Sequence, residues 1–232
     1  MPRSKPGRSS RHSERGSDSH PWHARVVHVD VLEHPVVAAQ LTELRDAATD
    51  RRRFRQLLHQ VARALVFEAA RTIPTTPVTV ESPMGPADGV ELVDQPVLIP
   101  ILRAGLGMLD AGLEALPGSE TGFLGLRRDE ETLQPTVYMN TIPALEGRPA
   151  HVLDPMLATG GSAIYAAEQV QAAGAGTVTL ICLLAAPEGI EALRASGTVD
   201  RVLTASIDSH LNEVGFIVPG LGDAGDRQYG VD

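Results

Sequence analysis

The chain is poor in cysteine, having only Cys182, so no intrachain disulfide can staple it and no Cys/His set for a structural zinc site can be assembled. That thiol sits in the apolar run Val178–Ala186, where a small buried hydrophobe is the ordinary role of a free cysteine, and it favours a reducing compartment. Aromatic residues are equally scarce. One Trp, three Tyr and four Phe leave the core to Leu, Val, Ile and Ala, which suits a sheet covered by Ala-rich helices better than an aromatic-rich sandwich. No apolar run approaches the roughly 20 residues needed to span a bilayer. The basic N-terminus is not followed by the apolar segment of a secretory signal. An excess of positive charge is also missing: 20 Lys and Arg against 29 Asp and Glu give −9, which counts against non-specific nucleic-acid binding. The expectation is a soluble, cytoplasmic protein with neither membrane nor nucleic-acid partners, built on one domain of roughly 200 residues.

Along the chain, residues 1–25 carry Arg3, Lys5, Arg8, Arg11, Arg15 and Arg25 against Glu14 and Asp18, with Ser, Gly and His between them. Such a segment buries too little apolar surface to offset its ordering entropy and is expected to be a disordered extension, dispensable or touching RNA or phosphate. Order is expected from residue 26. A short strand over 26–31 leads into helices over 36–48 and 51–71, the second burying Phe54, Leu57, Leu58, Val61, Leu65 and Phe67. The cluster Arg51–Arg55 is either an anion collector or the solvated side of that helix. Residues 72–94 hold six Pro or Gly interruptions in a Val/Thr-containing stretch and predict a projecting β-arm suited to an oligomer interface, or else an exposed meander. From Pro96 onward strands at 97–101, 121–126, 150–153, 177–184 and 200–204 alternate with helices at 106–116, 160–173 and 188–196. This predicts an α/β domain with a mostly parallel central sheet flanked by helices, its site beyond the carboxyl ends of the strands.

The run His151-Val-Leu-Asp-Pro-Met-Leu-Ala-Thr-Gly-Gly-Ser162 has the most chemical content. A buried strand ends in one carboxylate, Asp154, and the chain then enters a helix through Thr159, Gly160, Gly161 and Ser162, whose free amides and hydroxyls suit a phosphate. A carboxylate and a phosphate repel each other, so Asp154 is expected to accept hydrogen bonds from sugar hydroxyls while residues 157–162 hold the phosphate. Thr159 or Ser162 acting only as a helix cap is the plainer alternative. The segment lacks the order and the lysine of a triphosphate-binding P-loop, and is not a G-x-G-x-x-G dinucleotide fingerprint. Arg103 likewise follows a strand, with Gly105 and Gly107 beside it for close backbone approach or positive φ, and presents a fork for phosphate oxygens or for a structural pair. The charged stretch Arg127-Arg128-Asp129-Glu130-Glu131 is expected to be a mobile loop, either solvated or closing over a polyphosphate.

Residues 205–227 are dense in Gly and polar groups, suggesting a tight loop whose backbone reads a planar base under a small lid such as Ile217 or Leu221. His210 has Asp208 and Glu213 as neighbours but no nucleophile pattern, which makes it a weak general-base candidate.

Four segments, Pro100–Gly107, Asp154–Ser162, Ala185–Ile190 and Pro219–Arg227, together resemble the uracil phosphoribosyltransferase family over residues 26–232. The resemblance implies the type I phosphoribosyltransferase fold, with the arm at 72–94 and a small base-binding hood at 205–227. It implies Mg²⁺-dependent transfer of the 5-phosphoribosyl group from 5-phospho-α-D-ribose 1-diphosphate to uracil, giving UMP and diphosphate in pyrimidine salvage. By the same resemblance Arg103 and Arg128 contact the diphosphate, Asp154 faces the ribose, and Ala158, Thr159, Gly160, Gly161 and Ser162 wrap the 5-phosphate. The backbone of Ile217, Gly222 and Ala224 reads the uracil edge, and Asp223 sits beside the ribose and the magnesium-bound diphosphate, touching the metal indirectly. A homodimer or higher assembly and a GTP effector are further implications. Two adjacent acids common in related transferases are replaced by Asp154-Pro155, as is usual in the uracil branch, and Phe216 stands where that branch has Tyr. The alternatives are transfer to another base, such as orotate or a purine, and a uridine-nucleotide-sensing RNA-binding regulator.

Overall fold

The computed structural model of the chain describes residues 26–128 and 135–230, without the side chains of Arg128 and Pro135. The expectations for residues 1–25 and for the middle of the 127–136 loop lie outside the described residues.

A short strand β1 (His28–Val31) precedes helices α1 (Pro35–Arg45) and α2 (Arg51–Ala69). Their starts are locally encoded. His34 accepts the Val36 amide just ahead of Pro35, whose missing N–H costs nothing in a first turn, and Asp50 accepts the amide of Arg53. The buried face of α2 is Phe54, Leu57, Leu58, Val61, Ala62, Leu65, Val66 and Ala69, the three-and-four spacing of a single apolar stripe. Phe67 departs from expectation: two residues past Leu65 it is turned about 200° around the helix, and it is exposed beneath the Arg63 guanidinium. The arginine cluster in part fastens α2 to its neighbours, since Arg53 grips Glu43 at 2.6 and 2.7 Å and Arg55 donates to the Gln228 carbonyl.

The predicted arm is a two-stranded antiparallel hairpin, β2 (Thr75–Ser82) and β3 (Gly85–Leu92), which forms its own sheet. The main body follows with β4 (Val97–Leu102), α3 (Leu106–Ala115), β5 (Leu124–Arg128), β6 (Pro135–Asn140), β7 (Ala150–Leu153), β8 (Met156–Leu157), α4 (Gly161–Ala172), β9 (Val178–Ala185), α5 (Pro187–Ser196) and β10 (Arg201–Ile207). Among the described residues the sheet order is β1-β10-β9-β7-β4-β5-β6, with β8 added to β9, and every pairing but β5–β6 is parallel. β5 begins later than predicted, Thr121 making only an isolated bridge to Leu98. The strand β6 lies outside the predicted strands: the charge run before it hides a β-prone Thr136-Val-Tyr-Met139 segment whose pairing with β5 is tertiary.

The central strands read as unbroken apolar runs because both faces are covered. Leu98, Leu153, Ile181, Leu183 and Leu203 pack toward the side holding α1, α2 and α3, while Ile99, Val152, Leu180, Cys182 and Val202 pack with Ala163, Ala166 and Val170 of α4. After β10 a hairpin of β11 (His210–Leu211) and β12 (Ile217–Val218) forms the hood, followed by a six-residue helix α6 (Ala224–Tyr229), where a loop was expected. Gly220, Gly222 and Gly225 around its start mask the helix, which Asp223 caps by accepting the Asp226 amide at 2.9 Å. In this parallel arrangement β4, β7, β9 and β10 deliver Arg103, Asp154, Ala186 and Asp208 along one edge.

Candidate active site

Asp154 leaves β7 as its backbone amide bonds to the Ile181 carbonyl, and the Pro155 carbonyl then accepts the amides of Leu183 and Leu184. With β8 paired to β9, the loop is stitched to the sheet as far as Leu157, four residues before α4 begins at Gly161. Gly160 is the N-cap of α4 at φ +86° and supplies no side-chain cap. Any side chain there would press on Ala192 and Gly189, and one on Gly189 would meet the Ala158 carbonyl, so α5 supports this loop from behind. Thr159 and Ser162 are exposed and neither caps the helix, which removes the plainer reading of both. What remains is an uncapped helix start beside two exposed hydroxyls, an arrangement suited to an anion.

Arg103 follows β4 across a cis Leu102–Arg103 peptide. Gly105 is needed for close approach, not for positive φ: a Cβ there would lie 2.2 Å from the Leu153 carbonyl oxygen and 2.8 Å from the Ile101 backbone. The arginine loop and the acid loop are therefore packed backbone to backbone. The Arg103 guanidinium is within 3.7 Å of Asp226, giving the structural pairing some weight alongside phosphate binding. Arg128 closes β5 through its backbone, but its side chain lies outside the described residues.

The hood faces these loops across a cleft of about 300 Å³, lined by Ala104, Asp154, Met156, Ala158, residues 214–217 and residues 222–225. Asn212 shapes its tip by accepting the amides of Val214 and Phe216 on its side-chain oxygen, and Glu188 holds the Leu211 amide from below. One expectation is corrected here. Leu221 is 3% exposed and belongs to the main core, so it is no lid, and Ile217 is nearly as deeply buried. The exposed apolar groups at the cleft are Val214 and Phe216, 71% and 46% exposed. His210 is exposed on another side of the hood, its Nδ1 2.8 Å from the Ser209 hydroxyl, and it does not line the cleft.

Two carboxylates dominate the electrostatics. Asp154 is packed closely by protein although it opens to the cleft, and its desolvation pushes the carboxyl up to about 7; the Met156 amide at 3.4 Å opposes this and the neighbouring Asp223 carboxylate adds to it. Among the described residues that line the cleft there is no Lys or Arg. A carboxylated base such as orotate would therefore meet two acids and no counter-charge. Nor is there, among the described residues, a group of three His, Cys, Asp or Glu able to cage a metal. Two acids at a phosphate site suit a hard cation that keeps waters and takes its remaining oxygens from a polyphosphate ligand.

The structure thus brings Asp154, Ala158, Ile217, Gly222, Asp223 and Ala224 to one cleft, with Thr159–Ser162 and Arg103 on the adjoining loops. Sequence reasoning missed a supporting layer behind it. Gln228, fully buried, donates to the carbonyls of Ala104 and Ala224 and joins the arginine loop to α6. Arg227 stacks on Phe54 at 4.3 Å and donates to the carbonyls of Leu44, Asp46 and Leu221. Arg45 and Asp208 form a salt bridge at 2.6 Å across 163 positions of sequence, a separation that leaves no local signal.

The chain is similar to known proteins over most of its length. The uracil phosphoribosyltransferase family model matches residues 31–231. A uracil phosphoribosyltransferase of Streptomyces avermitilis is 51% identical over 204 residues, covering 86% of this chain and 97% of that protein. One from Kineococcus radiotolerans is 50% identical over 208 residues, covering 88% and 99%. Among solved structures, the AQ2163 protein of Aquifex aeolicus superposes with a TM-score of 0.82 at 34% identity over 88% of this chain and 99% of that one.

The raised Asp154 carboxyl has a consequence for stability. Its folded value near 7 lies above the ordinary 3.8, so the native state binds the extra proton and stability falls as pH rises between those values. Asp154→Asn keeps an acceptor for the Met156 amide but removes this cost. The variant is expected to be more stable than the parent by roughly 1–3 kcal/mol at pH 7.5, with the gap closing toward pH 4. Urea unfolding at the two pH values checks this, and equal stability at both would contradict it.

Proposed function

The chain belongs to the uracil phosphoribosyltransferase family, and we propose that this cleft is where it transfers the 5-phosphoribosyl group from 5-phospho-α-D-ribose 1-diphosphate to uracil, giving UMP and diphosphate. The observation that carries the reading is one cleft lined by a strand-end carboxylate, bordered by an uncapped glycine helix start and closed by a glycine-rich hood, with no Lys or Arg among the described residues that line it.

The roles divide along the cleft. The amides from Ala158 to Ser162 and the hydroxyls of Thr159 and Ser162 hold the 5-phosphate, and Asp154, when ionised, accepts from the ribose hydroxyls. Arg103 and Arg128 take the diphosphate, with Asp226 steadying Arg103 at 3.7 Å. The backbone of Ile217, Gly222 and Ala224 reads the amide edge of uracil against Phe216, which provides apolar wall without the hydroxyl of a tyrosine. As the bond from the anomeric carbon to diphosphate breaks, positive character develops on that carbon, so the site gains most by neutralising the leaving group. Uracil N1 forms the new bond and its proton passes to bound water or to Asp223. Asp223 is also the residue suited to hold Mg²⁺ through water, and the ion would supply charge neutralisation on the diphosphate.

Self-association belongs to the same reading. An isolated two-stranded hairpin is marginal in water, yet β3 exposes Val90 at 66% and Leu92 at 42%, two residues apart and so on one face of the arm. A second copy of the chain would cover that stripe, giving a dimer or a higher assembly. A cytoplasmic setting fits the single buried thiol, and a GTP effector is part of the proposal on the strength of the family resemblance alone.

Diphosphate release is expected to require uracil and magnesium together, with mass spectrometry finding UMP and no product from cytosine, orotate, hypoxanthine or guanine. Folded protein that makes no UMP would overturn the assignment, and repeating the assay with GTP reads the effector. Because Asp154 must be ionised, kcat/KM for the ribosyl donor should fall about tenfold per unit below pH 7. For the arm, Val90→Glu should leave the fold intact and reduce the sedimenting species to a monomer; an unchanged mass would remove the arm from the interface.

A further inference from the structure

Asp208 does not line the cleft, yet among the described residues it is one of the most heavily bonded carboxylates. Its side chain is 2% exposed and meets Arg45, the last residue of α1, through both oxygens at 2.6 Å. Ser206 donates its hydroxyl to the same carboxylate at 3.0 Å. Burial works to raise the Asp208 carboxyl, but the bonds from Arg45 and the Gly220 amide more than offset it and hold it below its ordinary value.

The pair is directed at one residue of the base-binding segment. The Gly220 amide donates to Asp208 Oδ2 at 2.9 Å, and the Gly220 carbonyl accepts from Arg45 Nη1 at 2.8 Å. Both polar groups of Gly220 are thus held by opposite members of one ion pair. Gly220 has φ +60°, and a Cβ there would lie 2.1 Å from the Ile217 carbonyl oxygen, so the chain is folded tightly back on Ile217. Two residues later it presents Gly222, Asp223 and Ala224 to the cleft. A buried ion pair adds little net stability once the desolvation of both charges is counted. Its geometric effect here is specific: it fixes the turn joining the two backbone stretches assigned to the base.

We propose that Arg45 and Asp208 are positioning residues for base recognition, setting the spacing between Ile217 and Gly222 without touching substrate. This rests on the reading of residues 217–224 as the uracil-binding segment. The ribosyl-phosphate cradle at 154–162 is built on other strands and does not share the clamp.

Arg45→Lys keeps the charge but loses the planar fork, so one ammonium cannot hold both Asp208 oxygens and the Gly220 carbonyl. Steady-state kinetics of the full chain should show KM for uracil raised about tenfold or more, with KM for the ribosyl donor within about twofold. Ser206→Ala, which leaves the ion pair in place, should raise KM for uracil by about two- to fivefold with the same selectivity, and it decides the matter if Arg45→Lys does not fold. Uracil KM unchanged in the folded variants, or both KM values rising together, would overturn the clamp. Wild-type protein that makes no UMP would instead overturn the functional reading beneath it.

Discussion

The site is governed by the need to keep a carboxylate and phosphate oxygens in one small cleft without letting them meet. Charges of one sign a few ångströms apart in a partly dry site repel by several kcal/mol. The chain separates them by placing Asp154 at the end of β7 and the phosphate-binding amides at the start of α4, with β8 pinned to β9 between them. The contact between Gly105 and the Leu153 carbonyl fixes the arginine loop against the same strand end. Anything that loosened β8 would let the acid and the anion site drift toward each other.

Much of this layout is visible in the sequence because it is local. Unbroken apolar runs mark strands covered on both faces, the spacing in α2 marks its buried side, and Asp154 through Ser162 lie on one short stretch. The features that escaped are those decided at a distance. The strand β6 exists through its pairing with β5, α6 forms in a glycine-rich turn held by Gln228 and Arg227, and Leu221 is drawn into the core by packing that no neighbouring residue announces. Arg45 is the plainest case: at the end of α1 it looks like a favourable charge on a helix C-terminus, and only the fold shows the carboxylate and the glycine that it holds.

Residues and family membership contribute different parts of the functional account. Local chemistry reaches a phosphate site beside a hydroxyl-binding acid and a backbone surface for a planar ring. The identity of the base comes from the family, matched over residues 31–231. The cleft adds its own constraint, because its described lining offers two carboxylates and no cation to an acidic base.

The balance of charge around Asp154 is the centre of the account, and a carbon-13 NMR titration of its side-chain carboxyl, with and without Asp223→Asn, measures it directly. The expected midpoint is about 7 in the parent protein, shifting downward when the Asp223 charge is removed. A midpoint at the ordinary value of 3.8, unmoved by the substitution, would contradict it.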